Sequence, residues 1–287
     1  MLIRAISFLS ISILYSWGLF GLLLSQGMFE NGFQRGDQLY LFLFMFGPAV
    51  GAIITALLFD RTRLKEMLGL KFRPSLWWLW AMLIPAAAIA AATWIAPYFP
   101  GVEIQSTKEA FRPIIESQVS ADLVDQTLEQ LPPFAVLFLL AMVTGGIVNG
   151  VLTLSEELGW RGYFWSVVRP LGFWKASFVT GLLWGLWHAP IIANGYNFPG
   201  QPVLGPVMMT LFTLALSPLM GWLRDRSGSV FTGSIFHGVL NAIAPISVMI
   251  LVTDNVFFNG IIGWPGVAVL VLMTLPLLFI SQQNKVA

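Results

Sequence analysis

Glu156 and Glu157 stand side by side after an apolar run that opens at Pro133 and carries no charge before them. Carboxylates near membrane depth are costly, so an acidic pair in such a frame is a functional-site signal. Adjacent residues on a helix point about 100° apart, so the two cannot face one point. Glu157 has a partner in the sequence. Arg161 follows it by one helical turn, and the acid lies on the N-terminal side, the favourable order for a helical ion pair. Glu156 is then the reactive carboxylate. The alternative is a pair of interfacial charges at a helix end.

The chain has only two histidines, His188 and His237, and both sit inside apolar runs. Trp184 lies one turn before His188 on the same face, as an aromatic wall or a packing residue. Pro190, two residues after His188, lacks a backbone donor and bends a helix at that point. His237 and Asn241 share one helical face, about 6 Å apart along the axis. Such a pair can donate two hydrogen bonds to one oxygen, as an oxyanion hole does, or can link two helices. Gly159 and Gly162 admit the close approach of another helix or of a substrate backbone. Ser177 and Ser247 have no base at a matching spacing and read as packing residues.

These residues need elements to hold them, and composition says which. Of 287 residues, 57% are hydrophobic and 10% charged, against about 25% charged in soluble domains. The expectation is an all-α, polytopic integral membrane protein of about eight transmembrane helices, with residues 1–287 as one transmembrane domain and the motifs within 155–241. The spans read as 5–28, 39–59, 76–98, 133–155, 176–193, 207–223, 230–252 and 262–280. The first reads as a retained span. The polar stretch 99–131 should hold a short amphipathic helix, and 162–175, aromatic and basic, reads as an interfacial helix and turn. A net charge of +1 gives no basic surface for nucleic acid. The absence of cysteine excludes disulfides and a thiolate nucleophile.

Basic residues set an orientation. With the N-terminus inside, twelve of the fifteen Lys and Arg residues fall in cytoplasmic segments and three (Arg35, Lys108, Arg112) outside. Both termini are then cytoplasmic. Glu156, His237 and His188 lie at different depths from that side, so the expected site is a cavity sunk into the membrane from the cytoplasm.

Taken together, Glu156-Glu157-x-x-x-Arg161, then Trp184-x-x-x-His188, then His237-x-x-x-Asn241 resemble the type II CAAX prenyl endopeptidase and bacteriocin-processing family of intramembrane proteases. The second motif departs from the family pattern, which commonly has Phe where this chain has Trp184. The resemblance implies an eight-helix fold with a catalytic cavity open to the cytoplasm, and a glutamate-dependent endopeptidase acting on a membrane-associated peptide or protein. It implies Glu156 as general base on a water, helped by His188, with His237 and Asn241 stabilising the oxyanion. Glu157, Arg161 and Trp184 would support that geometry. Two histidines and a glutamate also make a zinc set; the metal-free mechanism, with no cofactor, is the favoured expectation. Two other functions remain to be weighed. One is a non-catalytic partner-binding or bacteriocin-immunity protein on the same scaffold. The other is a proton-coupled transporter, against which stands the lack of paired broken helices in two halves of the chain.

Overall fold

The computed structural model describes residues 1–29, 33 and 35–283, so Glu30 and Lys285 lie outside the described residues. The chain is an all-α, multi-pass membrane protein. Its principal helices are α1 Leu2–Ser25, α2 Gln38–Phe59, α3 Leu76–Tyr98, α4 Phe134–Leu171, α5 Phe173–Trp187, α6 Leu204–Ser227, α7 Val230–Met249 and α8 Trp264–Gln283. Among the described residues, six of these (α1 to α4, α6 and α7) are long and apolar enough to cross a membrane, and α8 carries a shorter apolar stretch over Trp264–Phe279. Leu139, Val143, Ile147, Val148 and Val151 of α4 are all exposed. Such an apolar face suits lipid rather than water.

Local chemistry explains the breaks. The missing N–H of Pro190 ends α5 at Trp187, and the chain turns at His188 before a short helix over Ala189–Ala193. Gly172, at φ 95°, makes the sharp turn between α4 and α5 that a residue with a Cβ would resist. In the 99–131 stretch, Ser106 and Glu109 form a reciprocal cap at the start of the helix Thr107–Glu116, and a second short helix covers Val124–Glu129.

Contacts define two ends of the bundle. At one end the loop after α2 meets the junctions α4–α5 and α6–α7. There Val230 N–H donates to Gly69 O at 2.9 Å, Ser229 Oγ to Lys71 O at 2.7 Å and Ser166 Oγ to Met67 O at 2.9 Å, and Arg169 pairs with Asp225 at 2.7 Å. At the other end Glu103–Ile104 pairs antiparallel with Leu251–Val252, and Phe198 stacks on Phe257 at 5.8 Å.

Helix α4 differs most from expectation. It does not stop at Ser155 but continues to Leu171, with wider π-helical turns at Gly145–Asn149 and Leu158–Phe164. The first half of the stretch expected to lie at the interface is buried: Tyr163, Phe164 and Trp165, with Trp160 just before them, fill the bundle, Trp160 and Phe164 against Phe8 at 5.4 and 5.2 Å. The charges at Glu156, Glu157 and Arg161 suggest a membrane exit only if they are unpaired. Here Glu157 pairs with Arg161 and Glu156 accepts from Trp184 inside the protein, so the helix can carry on.

Candidate active site

The two glutamates diverge as their spacing requires, and each finds a different set of partners. Glu157 is fully buried, as is Arg161. Its Oε1 accepts from Arg161 Nη1 at 3.0 Å and from His237 Nδ1 at 3.0 Å. A carboxylate only accepts, so Nδ1 of His237 carries a hydrogen, and Nε2 is the nitrogen left for other partners. The expected ion pair is therefore present, and it reaches one helix further than the spacing alone indicates.

Glu156 turns the other way. Its Oε2 accepts from the indole Nε1 of Trp184 at 2.9 Å and lies 4.0 Å from Nε2 of His188. Nδ1 of His188 is 2.8 Å from the carbonyl of Trp184. A carbonyl also only accepts, so Nδ1 carries the hydrogen, and in the neutral ring Nε2 is a lone pair facing Glu156. The bend forced by Pro190 leaves His188 at the end of α5 rather than inside a continuing helix.

Trp184 is the hub of the arrangement. Besides holding Glu156, its ring lies under the Arg161 guanidinium at 4.0 Å and meets the rings of His188 and His237 at 5.8 and 5.5 Å. A phenylalanine could give the wall and the cation–π contact but not the hydrogen bond to Glu156. The sequence marks Trp184 as an aromatic wall and does not reveal the direction of its N–H.

Glu156, Trp184, His188, His237 and Asn241 all line one cavity of about 920 Å³. Arg161 and Glu157 lie behind it. Helices α4 and α7 hold their two parts of the site in register through close backbone contact: Thr153 Oγ1 donates to Ser234 O at 2.9 Å, and Ser234 Oγ donates to Gly150 O. A Cβ at Gly238 would run into the backbone of Gly150. Gly159 and Gly162 serve packing rather than the cavity, lying against Pro48 and the backbone of Leu68.

Asn149 also lines the cavity and was not singled out from the sequence. It precedes Glu156 by seven residues, and Asn149, Leu152, Thr153 and Glu156 form one stripe at helical spacing. That stripe was the available signal.

Tyr196, Pro199, Val256 and Ile262 also line the cavity, together with the first turns of α2 from Gln38 to Met45. The buried aromatic turns of α4 lie between Glu157 and the loop after α2.

Among the described residues no group of three His, Asp or Glu side chains is arranged to hold a metal ion. Glu157 is engaged by Arg161 and His237, and Glu156 by Trp184, with Nε2 of His188 4.0 Å from Glu156 Oε2. That donor set is a poor fit to the three protein ligands of a catalytic zinc site.

A known protein family matches this part of the chain. The matching family model is that of type II CAAX prenyl endopeptidase, Rce1-like, and it aligns with a segment that contains every site residue named above. The match covers residues 130–243. Within the curated proteins, CAAX prenyl protease 2 of Methanococcus maripaludis is 36% identical over 93 residues, which cover 30% of this chain and 34% of that protein. The match thus spans about a third of the length of the curated relative. The matched segment comprises α4 to most of α7, the helices that bring the two glutamates, the two histidines and Asn241 together.

Proposed function

We propose that this protein is an intramembrane endopeptidase in which Glu156 activates water to cleave a peptide bond of a membrane-associated peptide or protein. The observation that carries the reading is the facing pair of acceptors, Glu156 Oε2 and His188 Nε2, 4.0 Å apart at the wall of the cavity. A water between them can donate one hydrogen to each and direct its lone pair at a substrate carbonyl.

The steps follow from the donor inventory. Water adds to the carbonyl carbon as Glu156 accepts its proton, with His188 fixing the second hydrogen. The carbonyl oxygen becomes an oxyanion, which takes a hydrogen bond from the Asn241 amide. Nε2 of His237 donates a second when both ring nitrogens carry a hydrogen, with Nδ1 bonded to Glu157. Glu156 returns the proton to the leaving amine as the C–N bond breaks, which leaves a carboxylic acid and an amine. Arg161 holds Glu157, and Trp184 holds Glu156, so the two carboxylates keep separate roles. No step needs a metal or cofactor.

The basic asymmetry supports a topology with both termini in the cytoplasm. The Rce1-like match and the relative's name support hydrolysis as the reaction class. A partner-binding scaffold would have no use for two acceptors facing each other in a cavity. The test is incubation of the purified, bilayer-reconstituted protein with membrane-anchored peptides, with products read by mass spectrometry. Hydrolysis at one bond, lost in His188→Ala, is expected. Intact peptides throughout, with a folded protein, would favour the scaffold reading.

A further inference from the structure

We propose that the end of the bundle carrying the α6–α7 turn is a docking surface for anionic phospholipid headgroups, centred on Lys71, Arg73 and Arg226. Lipid capture there needs no turnover, so it is independent of the endopeptidase reading.

The first support is an excess of cations after every pairing is made. Three carboxylates sit at this end, and each is already held: Asp60 by Arg4 at 2.9 Å, Glu66 by Arg63 at 2.6 Å and Asp225 by Arg169 at 2.7 Å. Among the described residues, no carboxylate forms an ion pair with Arg61, Lys65, Lys71 or Arg73 of the loop after α2. The same holds for Lys175, Arg224 and Arg226 beside it. Lys71, Arg73 and Arg226 are all exposed. Their charge is therefore open to an outside anion.

The second support is placement. Helix α2 ends at Phe59 and α3 begins at Leu76, so the loop is short and joins two membrane spans. It does not project from the bundle. Its backbone is tied to the α6–α7 turn through Gly69 and Lys71 and to α4 through Met67. Side chains seal the same seam. A Cβ at Gly228 would lie 3.8 Å from Lys71 Nζ, and one at Gly69 would meet the Arg224 guanidinium at 2.6 Å. Nε of Arg224 donates to the Arg161 carbonyl at 2.8 Å. Phe72 sets its ring against Phe231 at 5.3 Å and Trp78 at 5.2 Å. Lys71 and Arg73, on either side of Phe72, are thereby held at the turn that follows Arg226, at the depth of the headgroups.

The third support separates a lipid from a soluble anion. Leu70, Phe72, Leu76 and Trp80 are exposed among these cations, Phe72 to 70% although its ring is anchored. Apolar and aromatic side chains beside basic ones suit the boundary between headgroups and acyl chains. A free phosphate ion would make no use of them. Basic clusters next to a span attract anionic lipid at about fivefold in affinity per Lys or Arg.

The test uses the purified full chain in a neutral detergent, titrated with phosphatidylglycerol or phosphatidylcholine, with bound lipid counted by native mass spectrometry. Wild type should retain phosphatidylglycerol over phosphatidylcholine, and less of it as salt rises. Lys71→Gln, Arg73→Gln and Arg226→Gln combined should weaken phosphatidylglycerol binding about 100-fold. All three side chains are exposed, so this variant should melt with wild type. Arg61→Gln, Lys65→Gln and Lys175→Gln combined remove the same charge from the same end and should cost much less. Inorganic phosphate should displace the lipid no better than chloride at equal ionic strength. Equal retention of the two lipids by wild type, or unchanged phosphatidylglycerol binding in the first variant, would overturn the proposal. So would an equal loss in both variants, which would leave net charge alone as the cause, or displacement by phosphate beyond that by chloride.

Discussion

Replacing Trp184 by Phe removes one hydrogen-bond donor and keeps an aromatic ring in place. In the structure that donor is the indole N–H, 2.9 Å from Glu156 Oε2, and the ring also lies 4.0 Å under Arg161. A hydrogen bond to a charged group is worth about 1.5–3 kcal/mol. If the bond positions Glu156 mainly for the transition state, its loss slows cleavage by about 10- to 150-fold at about 1.4 kcal/mol per tenfold. The effect should fall on kcat, because the walls of the cavity that receive the substrate are unchanged. Trp184→Leu removes the cation–π contact as well, worth about 0.5–2 kcal/mol, and should lower thermal stability in addition to rate. The assay is peptide cleavage by purified protein in bilayers, with a melting curve for each variant. Full activity in Trp184→Phe would refute the reasoning, because it would mean that the indole N–H does not hold the base. An equal loss in kcat and in stability for the Phe and Leu variants would reduce Trp184 to a packing residue.

Other outcomes follow from the same geometry. Glu157→Gln leaves the buried Arg161 without its counter-charge, and breaking a buried pair costs about 3–5 kcal/mol, so this variant should melt well below wild type as well as lose activity. Asn241→Ala should keep the fold and retain a trace of cleavage, since loss of one oxyanion donor costs about 10²–10³ in rate; a rate equal to wild type would remove Asn241 from the site. Treatment with a strong chelator should leave peptide cleavage unchanged, and loss of cleavage restored by added zinc would replace the metal-free mechanism.

Much of the site was legible because charge inside an apolar frame is rare and must be paired. The Glu157–Arg161 spacing gave the ion pair, and elimination gave Glu156 the reactive role that its position on the cavity wall allows. The His237–Asn241 spacing put both side chains on the cavity. What the spacing rules missed lay where the helix is not α-helical or where a contact crosses between helices. The π turns at Gly145–Asn149 and Leu158–Phe164 break the 3.6-residue period that those rules assume. Asn149 was passed over beside one of them. Continuation of α4 past Glu157 was hidden because paired charges look like a membrane exit in a one-dimensional reading. The consequence was a buried turn from Trp160 to Phe164, packed against Phe8, where an interfacial helix was expected to begin nearby. The direction of the Trp184 N–H, set by packing of α5 against α4, had no signal in the sequence.

The central claim is that Glu156 is the base, and it is tested most directly by Glu156→Gln. The substitution keeps the size of the side chain and an oxygen to accept from Trp184, but removes the carboxylate that takes the proton from water. The measurement is cleavage of a membrane-anchored peptide by wild-type and Glu156→Gln protein, purified in parallel and matched by melting temperature. The account predicts cleavage by wild type and none by a Glu156→Gln protein that melts close to it. Cleavage by Glu156→Gln at the wild-type rate would contradict it.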